Sequence, residues 1–184
     1  IWSPGYIKNV SLQRAIDHRA FAKRLAIACR KEKALPDIIV CAYPTKEVCD
    51  VMLDFAEANE IPIILDVRDM WPDIFLDYAP RFLRPIAVWG LKPLRKRAGK
   101  TLSRSKGLVS ITPSLLSWAA MLAGRSVTSD DHVAALGCKD REVMPSELAM
   151  QLIFWRELGL KQTDRIICFF GVMSKKIDLS AVAA

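Results

Sequence analysis

Ile61-Pro62-Ile63-Ile64-Leu65-Asp66-Val67-Arg68-Asp69-Met70-Trp71-Pro72-Asp73 joins an apolar run to a cluster of charge around one tryptophan. Residues 61–65 are apolar, rich in β-branched side chains and without polar alternation, the pattern of a strand covered on both faces in a parallel sheet. Three carboxylates, an arginine and an indole then follow within eight residues. In open α/β sheets ligands bind in the crevice beyond the carboxyl ends of the strands. Asp66, Arg68, Asp69 and Trp71 therefore stand where a site is expected. The alternative role is structural, with the Asp residues capping the next helix and pairing with local Arg.

Outward from this run, helical and extended patterns alternate, which predicts βαβ units and a Rossmann-like parallel sheet with flanking helices. A first helix is expected from the N-cap Ser11 to about Lys33, with a stripe at 14, 18, 21, 25 and 29. Phe21, Leu25 and Cys29 read as core. Arg14 and His18 begin the same stripe, so that end of the helix overlooks either a cleft or solvent. A strand at 36–43 leads to Thr45 as a cap, then to a helix with Val48, Met52, Phe55 and Ala56 toward the sheet, closed by Asn59. A third strand at 107–112 delivers Thr112 and Ser114 to the same rim. Residues 144–158 form an amphipathic helix through Leu148, Leu152 and Trp155, and 164–170 read as a further strand.

A length of 184 residues suffices for one well-buried α/β domain. The five cysteines show no metal-ligand spacing with one another or with His and read as reduced, buried thiols. The net charge of +7 is local: residues 81–110 hold nine Lys or Arg and no acid, leaving the rest slightly acidic. Interleaved with Phe82, Ile86, Trp89 and Leu91, these bases suit an element lying on anionic lipid, with Trp89, Arg95, Lys96 and Arg97 facing the membrane. A solvated helix packed on the sheet is the structural alternative. Pro85, Gly90 and Pro93 predict two short helices here rather than one. No nucleic-acid-binding motif accompanies the charge, so no nucleic-acid partner is expected.

Asp66-Val-Arg-Asp-Met-Trp-Pro-Asp73 resembles the segment after the last-but-one strand of the N-terminal domain in family-four glycosyltransferases of GT-B architecture, in the polysaccharide-biosynthesis branch. Further pieces fall in the same order: Tyr6-Ile-Lys-Asn9-Val-Ser11-Leu-Gln-Arg14, Pro36-Asp-Ile-Ile-Val-Cys-Ala-Tyr43-Pro44-Thr45, Gly107-Leu-Val-Ser-Ile-Thr112-Pro-Ser, Trp118-Ala-Ala-Met-Leu-Ala-Gly124-Arg125 and Ile166-Ile-Cys-Phe-Phe-Gly171.

The resemblance implies sugar transfer from a nucleotide-diphosphate sugar to a lipid-linked or polysaccharide acceptor, without a metal or other cofactor. It implies that residues 1–143 are part of an acceptor-side domain, 144–163 an interdomain helix and linker, and 164–184 the start of a donor-binding domain. Such a chain is a fragment expected not to transfer sugar alone. Asp66, Arg68 and Asp69 are then the catalytic candidates, and Tyr6, Asn9, Arg14, His18, Trp71 and Thr112 the acceptor-binding ones. Gly171, Ser174 and Lys175 would bind the donor phosphates, although Val172 stands where the family commonly has Arg. Arg68 stands where many relatives have His, so no histidine-based role carries over. The location implied is cytoplasmic, peripheral on the inner face of the membrane. A non-catalytic α/β module for a small anionic ligand is the second class, one that would use the same rim.

Overall fold

The computed structural model describes residues 1–7, 11–137, 142–161, 163–167 and 169. The chain divides into two compact units, Ile1–Gly137 and Cys138–Ala184.

The first unit is a Rossmann-like α/β domain. Helix α1 (Leu12–Lys31) leads to strand β1 (Ile39–Tyr43), α2 (Lys46–Ala58), β2 (Ile63–Val67), 3-10 turns at Asp73–Asp77 and Arg81–Leu83, α3 (Arg84–Ser103), β3 (Gly107–Ser110), α4 (Pro113–Leu122) and the short β4 (His132–Val133). The four strands pair in parallel in the order β1-β2-β3-β4. Right-handed crossovers moving steadily in one direction place their helices on one face of the sheet. The register agrees: Ile39, Cys41 and Tyr43 pair with Ile63, Leu65 and Val67, and all six are buried. Leu108 and Ser110 continue that face on β3. Val40, Ile64, Asp66 and Val109 point the other way, and Val40 is 68% exposed. The expected two-sided cover of β2 is thus one-sided among the described residues. Its apolar run reads as fully buried because Ile64 on the open face is as hydrophobic as its neighbours.

The core fills from α2, α3 and α4 through Cys49, Leu53, Ala56, Ala98, Leu102, Leu115, Leu116, Trp118 and Ala119. The stripe of α2 is rotated from the expected one. Ala56 is buried as expected and Cys49 and Leu53 are buried with it, while Val48, Met52 and Phe55 are only half-buried at the edge of the core. The cause is α1, which packs beside α2 rather than on the sheet and draws Met52 toward Cys29 (Sγ to Sδ, 3.9 Å). Phe21, Leu25 and Cys29 are accordingly half-buried and not core. Ser11 caps α1 as expected, its hydroxyl accepting from the Arg14 amide at 3.2 Å. Thr45 occupies the N-cap of α2 but makes no side-chain cap bond.

Helix α3 overturns the expectation of two short helices: it is continuous for 20 residues with Pro93 inside it. Proline at 93 forfeits the bond to the carbonyl of Trp89. That turn lies at the surface, where water can satisfy the carbonyl. Pro85 falls at the helix start, where its missing amide costs nothing. The far half is fastened to α2: Thr101 Oγ1 donates to Asp50 Oδ1 at 2.8 Å, and Arg104 forks onto Glu57 (2.7 and 2.8 Å) and Asp54 (2.6 Å).

At Gly99 the backbone of α3 lies close against α4, since a Cβ there would lie 2.3 Å from the Leu122 carbonyl oxygen. Helix propensity alone favours Ala over Gly by about 1 kcal/mol. Here the sign reverses. Gly99→Ala is expected to destabilise the domain by about 1–3 kcal/mol through overpacking, read as a lowered urea midpoint; a raised midpoint would contradict the close approach.

In the second unit, α5 (Pro145–Glu157) has no buried residue, with Phe154 edge-on to Trp155 at 5.6 Å. Leu152 and Trp155 are half-buried and Leu148 is 50% exposed. The strand expected at 164–170 does not form over 164–167, where no ladder partner is present among the described residues and Ile167 is 78% exposed. An apolar run becomes a strand only when a neighbour supplies its hydrogen bonds.

Candidate functional site

Strand β2 ends two residues later than the sequence pattern indicates, so Asp66 lies within the ladder opposite Ala42 and Val109. Period-two alternation places Asp66 and Arg68 on the same, open side. There Arg68 Nε donates to Asp66 Oδ2 at 2.7 Å, with a second guanidinium nitrogen also 2.7 Å away. The Asp66 carboxylate is largely sheltered (18% exposed) while the Arg68 side chain is 62% exposed. Asp69 follows outside the ladder, exposed, and makes no hydrogen bond or ion pair among the described residues.

Trp71 turns toward the core helices. It packs partly buried against the hydrophobic cluster, edge-on to Tyr43 at 6.5 Å, and its carbonyl accepts the Tyr43 hydroxyl at 2.8 Å. Burial therefore raises the Tyr43 pKa, and this phenol acts as a strut. Asp73 opens the first 3-10 turn and ties it to the helices behind. Its Oδ2 accepts from Trp118 Nε1 at 2.9 Å, and its buried Oδ1, without a hydrogen bond, faces Arg95 Nε at 3.5 Å. Thr112 is exposed at the N-terminus of α4, where its hydroxyl caps the helix by accepting from the Leu115 amide at 3.2 Å.

Tyr6, Arg14 and His18 come together at the start of α1. The Tyr6 and His18 rings meet edge-on at 6.0 Å, the Arg14 guanidinium lies 5.6 Å from the Tyr6 ring centre, and its Nε donates to His18 Nε2 at 3.4 Å. An open hollow of about 450 Å³, lined by Pro4, Tyr6, Gln13 and Ile16, adjoins them. The C-terminal halves of α1 and α2 share another hollow, lined by Ala26 and Cys29 from one and Phe55 and Ala58 from the other. Asn9, Gly171, Ser174 and Lys175 lie outside the described residues.

Two polar constellations escape the sequence reading. One is Asp73 with Trp118 and Arg95. The other is Asp131, whose fully buried carboxylate accepts from Arg125 (2.5 and 2.8 Å), the Leu108 amide (2.7 Å), the Thr128 amide (2.8 Å) and the Thr128 hydroxyl (3.1 Å). The Arg125 guanidinium holds its carboxyl well below the usual carboxylate range. Trp118 stands 45 residues from Asp73 and Leu108 stands 23 from Asp131, separations that leave no local signature, whereas Arg125 and Thr128 lie close to Asp131 along the chain.

Among the described residues no group of three or more His, Cys, Asp or Glu is placed to hold a metal ion. No described helix is long and apolar enough to cross a membrane. Compared with family models, curated proteins and solved structures, the chain matches none.

Proposed function

We propose that this rim holds a hydroxyl-bearing acceptor, lipid-linked or polysaccharide, for transfer of a sugar from a nucleotide-diphosphate sugar in cell-envelope glycan synthesis. One observation carries the reading. Asp69 keeps an exposed carboxylate without a partner among the described residues just beyond a strand end, while its neighbours Asp66 and Arg68 are locked together. Such a carboxylate is able to accept a hydrogen bond from the acceptor hydroxyl and take its proton as oxygen bonds to the sugar and the nucleoside diphosphate departs. Arg68, steered by Asp66, holds a positive charge beside it. Tyr6, Arg14 and His18 offer an aromatic face and polar edges to a sugar ring. The roles of Gly171, Ser174 and Lys175 toward the donor diphosphate rest on the resemblance alone. With a lipid-linked acceptor the protein would work from the inner membrane face as a peripheral protein.

The test is binding and turnover measured on the same chain. Titration with oligosaccharide and lipid-linked acceptors is expected to show saturable binding that Arg14→Ala weakens about ten-fold, the worth of one charged hydrogen bond. A panel of nucleotide sugars is expected to release no nucleoside diphosphate, because the donor-side residues are not part of this rim. Failure to bind any acceptor, together with tight binding of inorganic phosphate or free nucleotide, would replace the transferase by a small-anion module centred on the exposed Arg68 guanidinium. Turnover at the rate of an ordinary transferase would overturn the assignment of donor binding to a separate domain.

A further inference from the structure

We infer that the exposed half of α3, with the Arg81–Leu83 turn leading into it, docks on a bilayer containing anionic phospholipid. Helix α3 has two unlike halves. Ala98, Gly99, Thr101 and Leu102 are buried and fix its far end to the domain. Residues 81–93 include no buried residue at all. Phe82, Ile86 and Trp89 are 79%, 67% and 70% exposed and recur at spacings of four and three, which gather them on one side. Soluble surfaces rarely leave large apolar groups so clustered unless something apolar covers them.

Charge identifies what covers them. Three of the nine bases of residues 81–110 are taken up by the protein itself: Arg95 faces Asp73, Arg104 pairs with Glu57 and Asp54, and Lys106 lies 3.0 Å from Asp130. This removes Arg95 from the membrane-facing set read from sequence. Arg81, Arg84, Lys92, Lys96 and Arg97 are exposed and make no ion pair among the described residues, and the stretch contains no acid. Large apolar side chains ringed by unneutralised bases complement an interface that is apolar below and negative above, which is the surface of an anionic leaflet. Trp89, with an apolar body and a polar N–H, belongs at such a boundary. The docking surface is independent of whether the rim transfers sugar, since binding to vesicles needs no turnover.

The 184-residue protein is sedimented at physiological salt with vesicles of phosphatidylcholine alone and of phosphatidylcholine with an equal share of phosphatidylglycerol. Binding is expected to the second and not the first, and to weaken as salt is added. Each base near the lipid is worth about five-fold in partitioning, so changing Arg81, Arg84, Lys92 and Lys96 together to Gln should reduce it by a few hundred-fold. Changing Phe82, Ile86 and Trp89 together to Ser should also release the protein. Trp89→Phe should keep binding while losing most of the tryptophan quenching by brominated lipid, which reports insertion directly. All substituted positions are exposed, so thermal melts should match the wild type. Equal binding to both vesicles, or binding indifferent to the four Gln changes, would overturn the proposal. So would self-association without lipid that the three Ser changes abolish, because the patch would then be covered by a second copy.

Discussion

Asp131→Ala is expected to cost about 3–5 kcal/mol of stability, the cost of removing one member of a buried ion pair. The Asp131 side chain is fully buried and receives Arg125 together with the Leu108 amide and both donors of Thr128. Through these it fastens the start of β3 to the loop that precedes β4. Without it the Leu108 amide is orphaned and the Arg125 guanidinium loses its partner. Urea unfolding of the wild type and variant should show a lowered midpoint with an unchanged slope. A loss under about 1 kcal/mol would instead be the value of a solvated surface pair. The pH dependence has a definite sign. Asp131 is held below the ordinary aspartate pKa of about 3.9. Its contribution is therefore complete above about pH 4 and is lost as pH falls through the range beneath. The wild type's advantage over Asp131→Asn should shrink in that acid range and stay flat from neutral pH down to about 5.

The second large effect concerns Asp69. In a transferase where this domain faces a donor-binding domain, Asp69→Asn should reduce turnover by about 10²–10⁴, the usual contribution of a positioned general base. Its melting temperature should be unchanged, because the Asp69 carboxylate is exposed and makes no contact with a described residue that folding depends on. Had this carboxylate been a helix cap, the same change would cost about 1 kcal/mol and spare activity. Rate and melting temperature measured together separate the two roles, and near-normal turnover would sink the assignment.

Much of the domain was legible without coordinates because hydrophobic patterning is local. Short apolar runs ending at Tyr43, Leu65 and Thr112, spaced by helical stripes, predict a parallel α/β sheet, and such a sheet gathers its strand ends on one edge. That edge is where the pattern places Asp66, Arg68, Asp69 and Thr112. The same patterning misjudged what depends on neighbours distant in sequence. Pro93 reads as a helix break, but α3 runs through it because the lost bond falls at the surface while buried residues 98–102 hold the helix in place. Arg95 reads as one more membrane-facing base, but Asp73, 22 residues earlier, faces it at 3.5 Å. Ile64 reads as buried on the strength of its hydrophobicity, and only sheet topology places the three core helices on the opposite face. By itself the sequence determined fold class and the candidate cluster, because each is written in residues adjacent along the chain. Tertiary structure alone decided which charges are satisfied, which helix half is free and where a glycine is obligatory, because those depend on through-space pairings that no local pattern encodes.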